Sequence, residues 1–248
     1  MSDALVTLRR LLVVGALIVA ALAPSAATLW VLTPSGNDIQ DRVAAVTASH
    51  GVRLLAPNEV PKLLAEAVVA TEDERFYSHH GVDSIGLARA LLFDLTNLCM
   101  CEGGSTITEQ LVKDVYLNGS DRGYNKLEDI VLALKVEGVI GKDQIMADYL
   151  SEITTGYGKF GVSSAACAYF NKPLSNLDLS QYALLAGVTQ APSLYDPTID
   201  PAAARARRAQ VLASMVSDHL ITADQAAAAG LEPVLITSSN TNPACRQI

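Results

Sequence analysis

The stretch KLLAEAVVATEDERF, residues 62–76, decides the fold class of this 248-residue chain. Leu64, Val68, Glu72 and Phe76 recur every four positions, so they share one stripe of an α-helix. Glu72 is the polar member of this stripe, and a carboxylate among apolar side chains has a raised pKa that suits a general base or acid. Glu72 is therefore a candidate catalytic residue, unless a buried Arg or Lys simply pairs with it.

Helical periodicity continues along the chain. Aromatic residues make up 5% of the sequence and Ala is abundant, which favours helices over a β-sandwich or barrel. We predict helices near residues 60–79, 84–98, 106–117, 126–139, 142–152, 162–170, 180–188, 201–219 and 222–229. Three helix starts carry capping signals, namely Thr106 with Glu109, Asp200 before Pro201, and Thr222 with Gln225. The predicted fold class is mostly α.

The net charge of −8 restricts the partners of this protein. It argues against nucleic acid, because neutralising phosphates requires a basic face. An anionic substrate would have to be held by a local cluster of Lys and Arg. Arg205, Arg207 and Arg208 form such a cluster, although three arginines within four residues are also typical of a solvated helix face.

An uncharged stretch, residues 11–32, precedes the helical region. Its length matches a helix that crosses a hydrocarbon core, and Arg9 and Arg10 before it predict a cytoplasmic amino end. We therefore predict a cytoplasmic segment at 1–10, one transmembrane anchor at 11–32 and an exported remainder. The small residues of APSAAT leave a cleaved signal peptide as the alternative.

The exported part divides into a turn-rich linker at 33–58, one helical domain at 59–230 and a tail at 231–248 that we expect to be disordered.

The four cysteines, Cys99, Cys101, Cys167 and Cys245, have neither a paired zinc-binding spacing nor the density of a disulfide scaffold. We interpret them as free or buried thiols. A bridge from Cys99 or Cys101 to Cys167 is an alternative that the sequence does not decide.

Residues 103–113, GGSTITEQLVK, place two glycines and two hydroxyls before a helix. The free N–H groups at such a start, with the hydroxyls of Ser105 and Thr106 and the ammonium of Lys113, could hold a phosphate oxygen. Ordinary capping would give the same pattern.

Residues 125–137, NKLEDIVLALKVE, predict a buried central helix with Lys126 and Asp129 near its amino end. Both are candidate cleft residues. Asp129 could equally complement the positive end of the helix dipole.

Four ordered motifs resemble the family 51 peptidoglycan glycosyltransferases in their monofunctional form. They are EDERFYSHHGVD at 72–83, GGSTITEQLVK at 103–113, QAPSLYDP at 190–197 and RRAQVLASM at 207–215. The resemblance implies a lysozyme-like helical domain behind one N-terminal transmembrane helix, outside the bacterial cytoplasmic membrane and with a partly apolar region touching the bilayer. It also implies polymerisation of lipid II. The GlcNAc 4-hydroxyl of lipid II attacks C1 of a growing glycan on polyprenyl pyrophosphate, with inversion.

The same resemblance assigns roles to individual residues. Glu72 is the general base, and Asp129 occupies the position of the second catalytic glutamate and assists the leaving group. The implied substrate-binding residues are Asp73, Phe76, Gly104, Ser105, Thr106, Gln110, Lys113, Lys126 and Arg208. A Mg²⁺ or Mn²⁺ ion bound with the pyrophosphate and other cell-wall synthesis proteins as partners are further expectations. No residue is assigned as a metal ligand, and no organic cofactor is expected.

Several positions depart from the family pattern. The third motif reads Asn125-Lys126-Leu127-Glu128-Asp129 where the family has Arg-Lys-x-x-Glu, so its carboxylate is one methylene shorter. Glu109 replaces a family glutamine, and Ala147 and Ser151 replace the Glu and Asn of the fourth motif. These changes motivate an alternative, a catalytically degenerate membrane-anchored homologue that binds lipid II or wall-synthesis partners. A glycan-cleaving lytic enzyme fits less well, because the motifs are those of the synthetic family.

Overall fold

The computed structural model describes residues 27–98, 104–119, 125–156, 158–234, 236–237 and 241–247. They are mostly helical, which confirms the predicted fold class. The α-helices are α1 (Ile39–Ser49), α2 (Lys62–Glu72), α3 (Ser84–Asn97), α4 (Ile107–Leu117), α5 (Asn125–Glu137), α6 (Lys142–Glu152), α7 (Val162–Phe170), α8 (Leu179–Gln190), α9 (Pro192–Tyr195), α10 (Pro201–Ser217) and α11 (Ala223–Leu231). Strands β1 (Thr154–Gly156) and β2 (Lys159–Phe160) form an antiparallel pair.

The predicted capping signals are confirmed. The hydroxyls of Thr106 and Thr222 accept hydrogen bonds from the N–H groups of Glu109 and Gln225 at 3.1 and 3.2 Å. The Asp200 carboxylate caps the first turn of α10 in the same way. Each cap satisfies N–H groups that have no partner within the helix, so local sequence sets where these helices begin.

The centre of the core is α8, whose residues are buried on every side. It packs against α2 and α10, and Gly187 allows the close approach, since a Cβ there would come within 2.9 Å of the Arg207 Cγ. The prediction that α5 is the central helix is wrong. Leu127 and Leu134 of α5 are 58% and 40% exposed, so this helix lies at the surface despite its apolar composition.

Helix α1 lies inside the stretch that the sequence suggests is a linker. Ile39 and Val43 are 0% and 1% exposed and join the hydrophobic core, so α1 packs on α4 and α6 as part of the domain. Turn-forming residues flank α1 on both sides, so the sequence of this stretch is typical of a linker and does not indicate a helix. They include Gly36 and Gly51, both with positive φ.

The predicted anchor at 11–32 lies mostly outside the described residues. In the part of the chain that the structure describes, no helix is long and apolar enough to cross a membrane.

Residues 27–32 are helical, and the segment that follows them is held by α5. The Lys135 ammonium donates hydrogen bonds to the carbonyl oxygens of Trp30, Thr33 and Pro34 at 2.6, 2.9 and 3.1 Å. It also lies 4.9 Å from the centre of the Trp30 ring. A cation at the carboxyl end of a helix satisfies carbonyl groups that have no partner within the helix. Lys135 therefore fixes the direction from which the chain enters the domain.

Helix α3 buries little of its surface. Gly86 and Ala90 are its buried residues. Its other face and its C-terminal end carry exposed apolar side chains, which are Ile85, Leu87, Leu91, Leu92, Phe93, Leu95 and Leu98. A contiguous apolar surface of this kind marks a site that contacts a partner or a membrane.

The described part of the tail is fastened to α7. Cys167 and Cys245 form a disulfide with Cα atoms 5.5 Å apart, and the N–H of Thr237 donates to the Tyr169 carbonyl at 2.8 Å. The interpretation of Cys167 and Cys245 as free thiols is therefore wrong. Two described positions of the tail, Thr237 and Cys245, are therefore held by contacts to α7. The sequence could not give this pairing, because the two cysteines are 78 positions apart. Cys99 and Cys101 lie outside the described residues.

Candidate active site

A cleft of about 410 Å³ opens beside the carboxyl end of α2. Its described wall comes from residues 70–75, from the start of α3, from residues 104–106 before α4, and from the end of α10 at residues 214–218. Glu72 and the Gly104–Thr106 segment, which come from two different motifs, therefore lie on one cavity.

Helix α2 ends at Glu72, earlier than the predicted 79, because Asp73 leaves the helical conformation with φ −159° and ψ 73°. The Asp73 carboxylate accepts hydrogen bonds from the His79 Nε2 and from the N–H of Ile107, each at 3.0 Å. Its side chain is 1% exposed. Asp73 thereby joins α2 to the start of α4, and its predicted substrate contact stays a prediction.

The Glu72 side chain is 8% exposed and has two kinds of neighbour. Gln110 Nε2 donates a hydrogen bond to its Oε2 at 3.1 Å, and Arg207 Nη2 lies 3.5 Å from its Oε1 without forming one. Burial raises the pKa of Glu72, while the Gln110 hydrogen bond and the Arg207 charge oppose the rise and the Asp73 charge adds to it. Glu72 is thus a carboxylate with a raised pKa that also has a buried arginine beside it, and its catalytic role stays a prediction.

The Gly104–Thr106 segment is held in place by a cluster of polar contacts. Lys126 Nζ donates to the Ser105 Oγ at 2.7 Å and to the Glu109 Oε2 at 2.5 Å. The Thr106 hydroxyl donates to the Gly81 carbonyl at 2.7 Å and caps α4, and its predicted contact with a substrate stays a prediction. Ser105 and Gly104 line the cleft.

Glu109, which stands where the family has glutamine, is 2% exposed. Burial raises its pKa, and the Lys126 ion pair opposes the rise. The departure from the family is thus compensated by a neighbouring ammonium, which in turn is partly neutralised and less available to a substrate anion.

Asp129 is 5% exposed and lies on α5 three residues after Lys126, which puts both on the same helix face. Lys113 is half-buried on α4 and does not reach the described wall of the cleft. Its charge acts on Glu152, whose pKa is raised by burial and by Asp114 and lowered by Lys113. The predicted roles of Asp129 and Lys113 stay predictions.

Two residues with predicted substrate contacts have buried side chains, and those contacts stay predictions. Phe76 is 0% exposed and belongs to the core, with the Lys142 ammonium 4.2 Å from the centre of its ring. Arg208 is 2% exposed and donates to the Ser180 Oγ at 2.7 Å and to the Gly230 and Glu232 carbonyls at 3.0 and 2.7 Å. Its guanidinium joins α10 to α8 and α11, away from the cleft.

Three arginines at the site have roles that could not be assigned from the sequence. Arg207, the neighbour of Arg208, is the arginine that faces Glu72. Arg75 and Arg89 line the cleft, and Arg75 is paired with Asp83 at 2.6 Å. Spacing could not separate Arg207 from Arg208, because both lie on the buried side of α10. Arg89 could have been found from Gly86 and Ala90, which place the same side of α3 against the domain.

The described wall of the cleft carries more negative than positive groups. Five carboxylates and two guanidiniums line it, the carboxylates being Glu72, Asp73, Glu74, Asp83 and Asp218. Among the described residues, no group of three His, Cys, Asp or Glu side chains is placed to hold a metal ion.

Comparison with known proteins gives one consistent family. The profile of the transglycosylase family matches residues 40–216. Penicillin-binding protein 1A of Haemophilus influenzae is 40% identical over 177 residues, which are 71% of this chain and 21% of that protein. Penicillin-binding protein 1A of Vibrio cholerae is 41% identical over 177 residues, and penicillin-binding protein 1F of Bacillus subtilis is 37% identical over 172 residues.

The chain spans between a fifth and a quarter of the length of these relatives, 22% and 24% for the last two. A crystal structure of penicillin-binding protein 1A from Haemophilus influenzae aligns with a TM-score of 0.47 at 23% identity, over 76% of this chain and 18% of that one. The family match covers the cleft, Glu72 and the Gly104–Thr106 segment. The chain therefore belongs to the transglycosylase family, the family 51 peptidoglycan glycosyltransferases.

Proposed function

We propose that this protein polymerises lipid II into peptidoglycan glycan strands, with Glu72 as the general base. The observation that carries the proposal is the buried Glu72 carboxylate on the wall of the cleft, beside the Gly104–Thr106 segment. A carboxylate with a raised pKa is a stronger base than an exposed one and can take the proton of an attacking hydroxyl. Membership of the transglycosylase family supports the same reaction.

In the proposed reaction the GlcNAc 4-hydroxyl of lipid II loses its proton to Glu72 as its oxygen forms a bond to C1 of the donor sugar. The bond from C1 to the pyrophosphate oxygen breaks on the opposite face, and the polyprenyl pyrophosphate leaves with the electron pair. Arg75, Arg89, Ser105 and the N–H group of Gly104 are among the described donors on the cleft wall that can face this anion. Asp129 and Lys113 complete the proposal in the roles that the family resemblance assigns.

The direct test is polymerisation of labelled lipid II by the detergent-solubilised full-length chain. We expect glycan strands that a muramidase digests to disaccharide units. Binding of lipid II with no polymer at any pH between 5 and 9 would contradict the proposal, since Glu72 would then catalyse no polymerisation.

Several observations support a position on the outer side of the cytoplasmic membrane. The Cys167–Cys245 disulfide fits an oxidising compartment. The uncharged residues 11–32 fit a single anchor. The apolar face of α3 fits a surface that rests on the bilayer, where the polyprenyl chain of the substrate lies.

Replacing two leucines of α3 by glutamate tests the bilayer contact. Leu91 and Leu95 are 60% and 65% exposed, so the Leu91→Glu/Leu95→Glu variant leaves the core intact. We expect residues 27–248 of this variant to bind anionic lipid vesicles at least about tenfold more weakly, because two apolar side chains no longer leave water. Vesicle flotation measures the binding. Leu231→Glu on α11, at a residue 86% exposed, is the matched control and should leave binding unchanged.

A divalent cation that arrives with the substrate is part of the proposal. The described cleft wall has an excess of carboxylates, so a pyrophosphate entering it needs a counter-ion. Carboxylate and pyrophosphate oxygens are the ligands that Mg²⁺ and Mn²⁺ prefer, and the buried Asp129 would supply one of them. When bound, the ion would stabilise charge on the leaving group.

We expect EDTA to lower the polymerisation rate about tenfold and added Mg²⁺ or Mn²⁺ to restore it, since the cation supplies part of the charge stabilisation and arginines supply the rest. The assay uses metal-free lipid II and a titration of the ion. Equal rates in EDTA and in millimolar Mg²⁺ would remove the cation from the proposal.

A further inference from the structure

A chain of hydrogen bonds runs from α6 through α4 to the candidate base on α2. Tyr149, on α6, is 0% exposed, and its hydroxyl donates to the Gln110 Oε1 at 3.2 Å. Gln110 Nε2 then donates to the Glu72 Oε2 at 3.1 Å. The hydrogen bonds thus link side chains of three helices and end at the Glu72 carboxylate, which lines the cleft.

The tyrosine helps to set which way the Gln110 amide is turned, and so which of its atoms faces Glu72. The Gln110 amide could present either its oxygen or its nitrogen to Glu72. The carboxylate can only accept a hydrogen bond, and a hydroxyl that donates to the amide oxygen keeps this oxygen turned away from Glu72. Without the Tyr149 hydroxyl, the amide oxygen loses this donor, and the Glu72 carboxylate alone favours the observed orientation of the amide.

We propose that Tyr149 is a positioning residue for the base, because through Gln110 it keeps an N–H donor on Glu72 and so holds the carboxylate ionised and in one orientation. The effect on rate rests on the proposed function, whereas the effect on Glu72 itself does not.

The groups around the pair are compatible with this role. Glu72 faces Asp73, the next residue in the chain, as well as Gln110 of α4 and Arg207 of α10. Burial and the charges of Glu72, Glu152 and Asp114 raise the pKa of Tyr149, while a hydrogen bond with Thr189 opposes the rise. The net shift is well upward, so the phenol keeps its proton for donation at neutral pH. Removing its hydroxyl changes no charge in the cluster and acts on Glu72 through Gln110.

The decisive experiment titrates Glu72 in the detergent-solubilised full-length chain. Infrared spectra recorded from pH 4 to 9 give the Glu72 carboxylate band after subtraction of the spectra of Glu72→Gln. We expect Tyr149→Phe to raise the pKa of Glu72 by up to about one unit, because the Gln110 N–H donor to the charged form is no longer held in place. Where lipid II is polymerised, the acid limb of kcat/KM should move to higher pH by the same amount.

Tyr182→Phe is the matched control. Its hydroxyl is also buried and donates to the Leu174 carbonyl at 2.8 Å, so this variant loses a comparable hydrogen bond away from Glu72. It should leave the Glu72 titration unchanged. An equal shift in Tyr182→Phe would overturn the proposal, since the shift would then report a general loosening of the core.

Gln110→Met provides a second route, because methionine keeps the length of the side chain and cannot donate. It should raise the pKa of Glu72 as Tyr149→Phe does, and the double variant should show no further rise. An unchanged Glu72 titration in folded Tyr149→Phe overturns the proposal. If that variant does not fold, an unchanged titration in Gln110→Met overturns it. A wild type that makes no polymer at any pH refutes the proposed function, while the infrared titration still decides the role of Tyr149.

Discussion

Glu72→Gln should lower the rate of lipid II polymerisation by about 10²- to 10⁴-fold, which is the contribution expected of a general base. Glutamine has nearly the same shape and can still contact Gln110 and Arg207, but it cannot take a proton. Polymer formed per minute at saturating lipid II, resolved by gel electrophoresis, measures the effect. Glu66→Gln is the matched control, because Glu66 lies on the same helix and pairs with Lys62 instead.

The pH dependence adds a second signature. A base must be ionised to act, so the wild-type rate should fall as pH drops through the raised pKa of Glu72. Because the folded-state pKa lies above the unfolded one, ionising Glu72 destabilises the fold as pH rises, and Glu72→Gln removes this penalty. We therefore expect the variant to melt at the same or a higher temperature at pH 8. A variant that loses activity together with stability would point to misfolding.

Arg208→Met should lower the free energy of unfolding by about 3 kcal/mol, or the melting temperature by roughly 6–12 °C. The loss follows from the three hydrogen bonds of the buried guanidinium, since its partners on α8 and at the carboxyl end of α11 would lose this donor. Thermal unfolding followed by circular dichroism measures it.

Arg207→Met, one residue earlier, is the informative comparison. It removes the positive charge that faces Glu72, so the pKa of Glu72 should rise and the rate at pH 7 should fall while the melting temperature changes less than in Arg208→Met. The reverse pattern, in which Arg208→Met is inactive but fully stable, would indicate that Arg208 contacts the substrate.

Much of the fold could be predicted because its signals are local. Helix starts with capping residues, such as Thr106 and Thr222, follow from contacts within three residues and were placed to within one residue. Features that depend on distant parts of the chain could not be predicted in this way. The burial of α8 in place of α5 and the Cys167–Cys245 pairing both depend on which helices meet.

The candidate site shows the same division. Glu72 could be chosen because its stripe is apolar over a whole helix. The roles of Arg207 and Arg208 could not be assigned, because adjacent residues on the buried side of one helix differ by about 100° in direction, and what lies in each direction is set by tertiary packing. Tyr149 carries no sequence signal of function, since a buried tyrosine in a helix is common in any core.

The exposed apolar face of α3 has a consequence for local unfolding of the domain. A helix whose buried residues are Gly86 and Ala90 has few side-chain contacts to lose, so it should unfold locally at a much lower free energy than α2 or α8. Amide hydrogens of α3 should exchange with solvent deuterium well before those of α8. In contact with lipid the acyl chains would take the place of the missing core, and exchange along α3 should slow. The bilayer would then be a structural component of the domain, and stability measured in water would describe an incomplete fold.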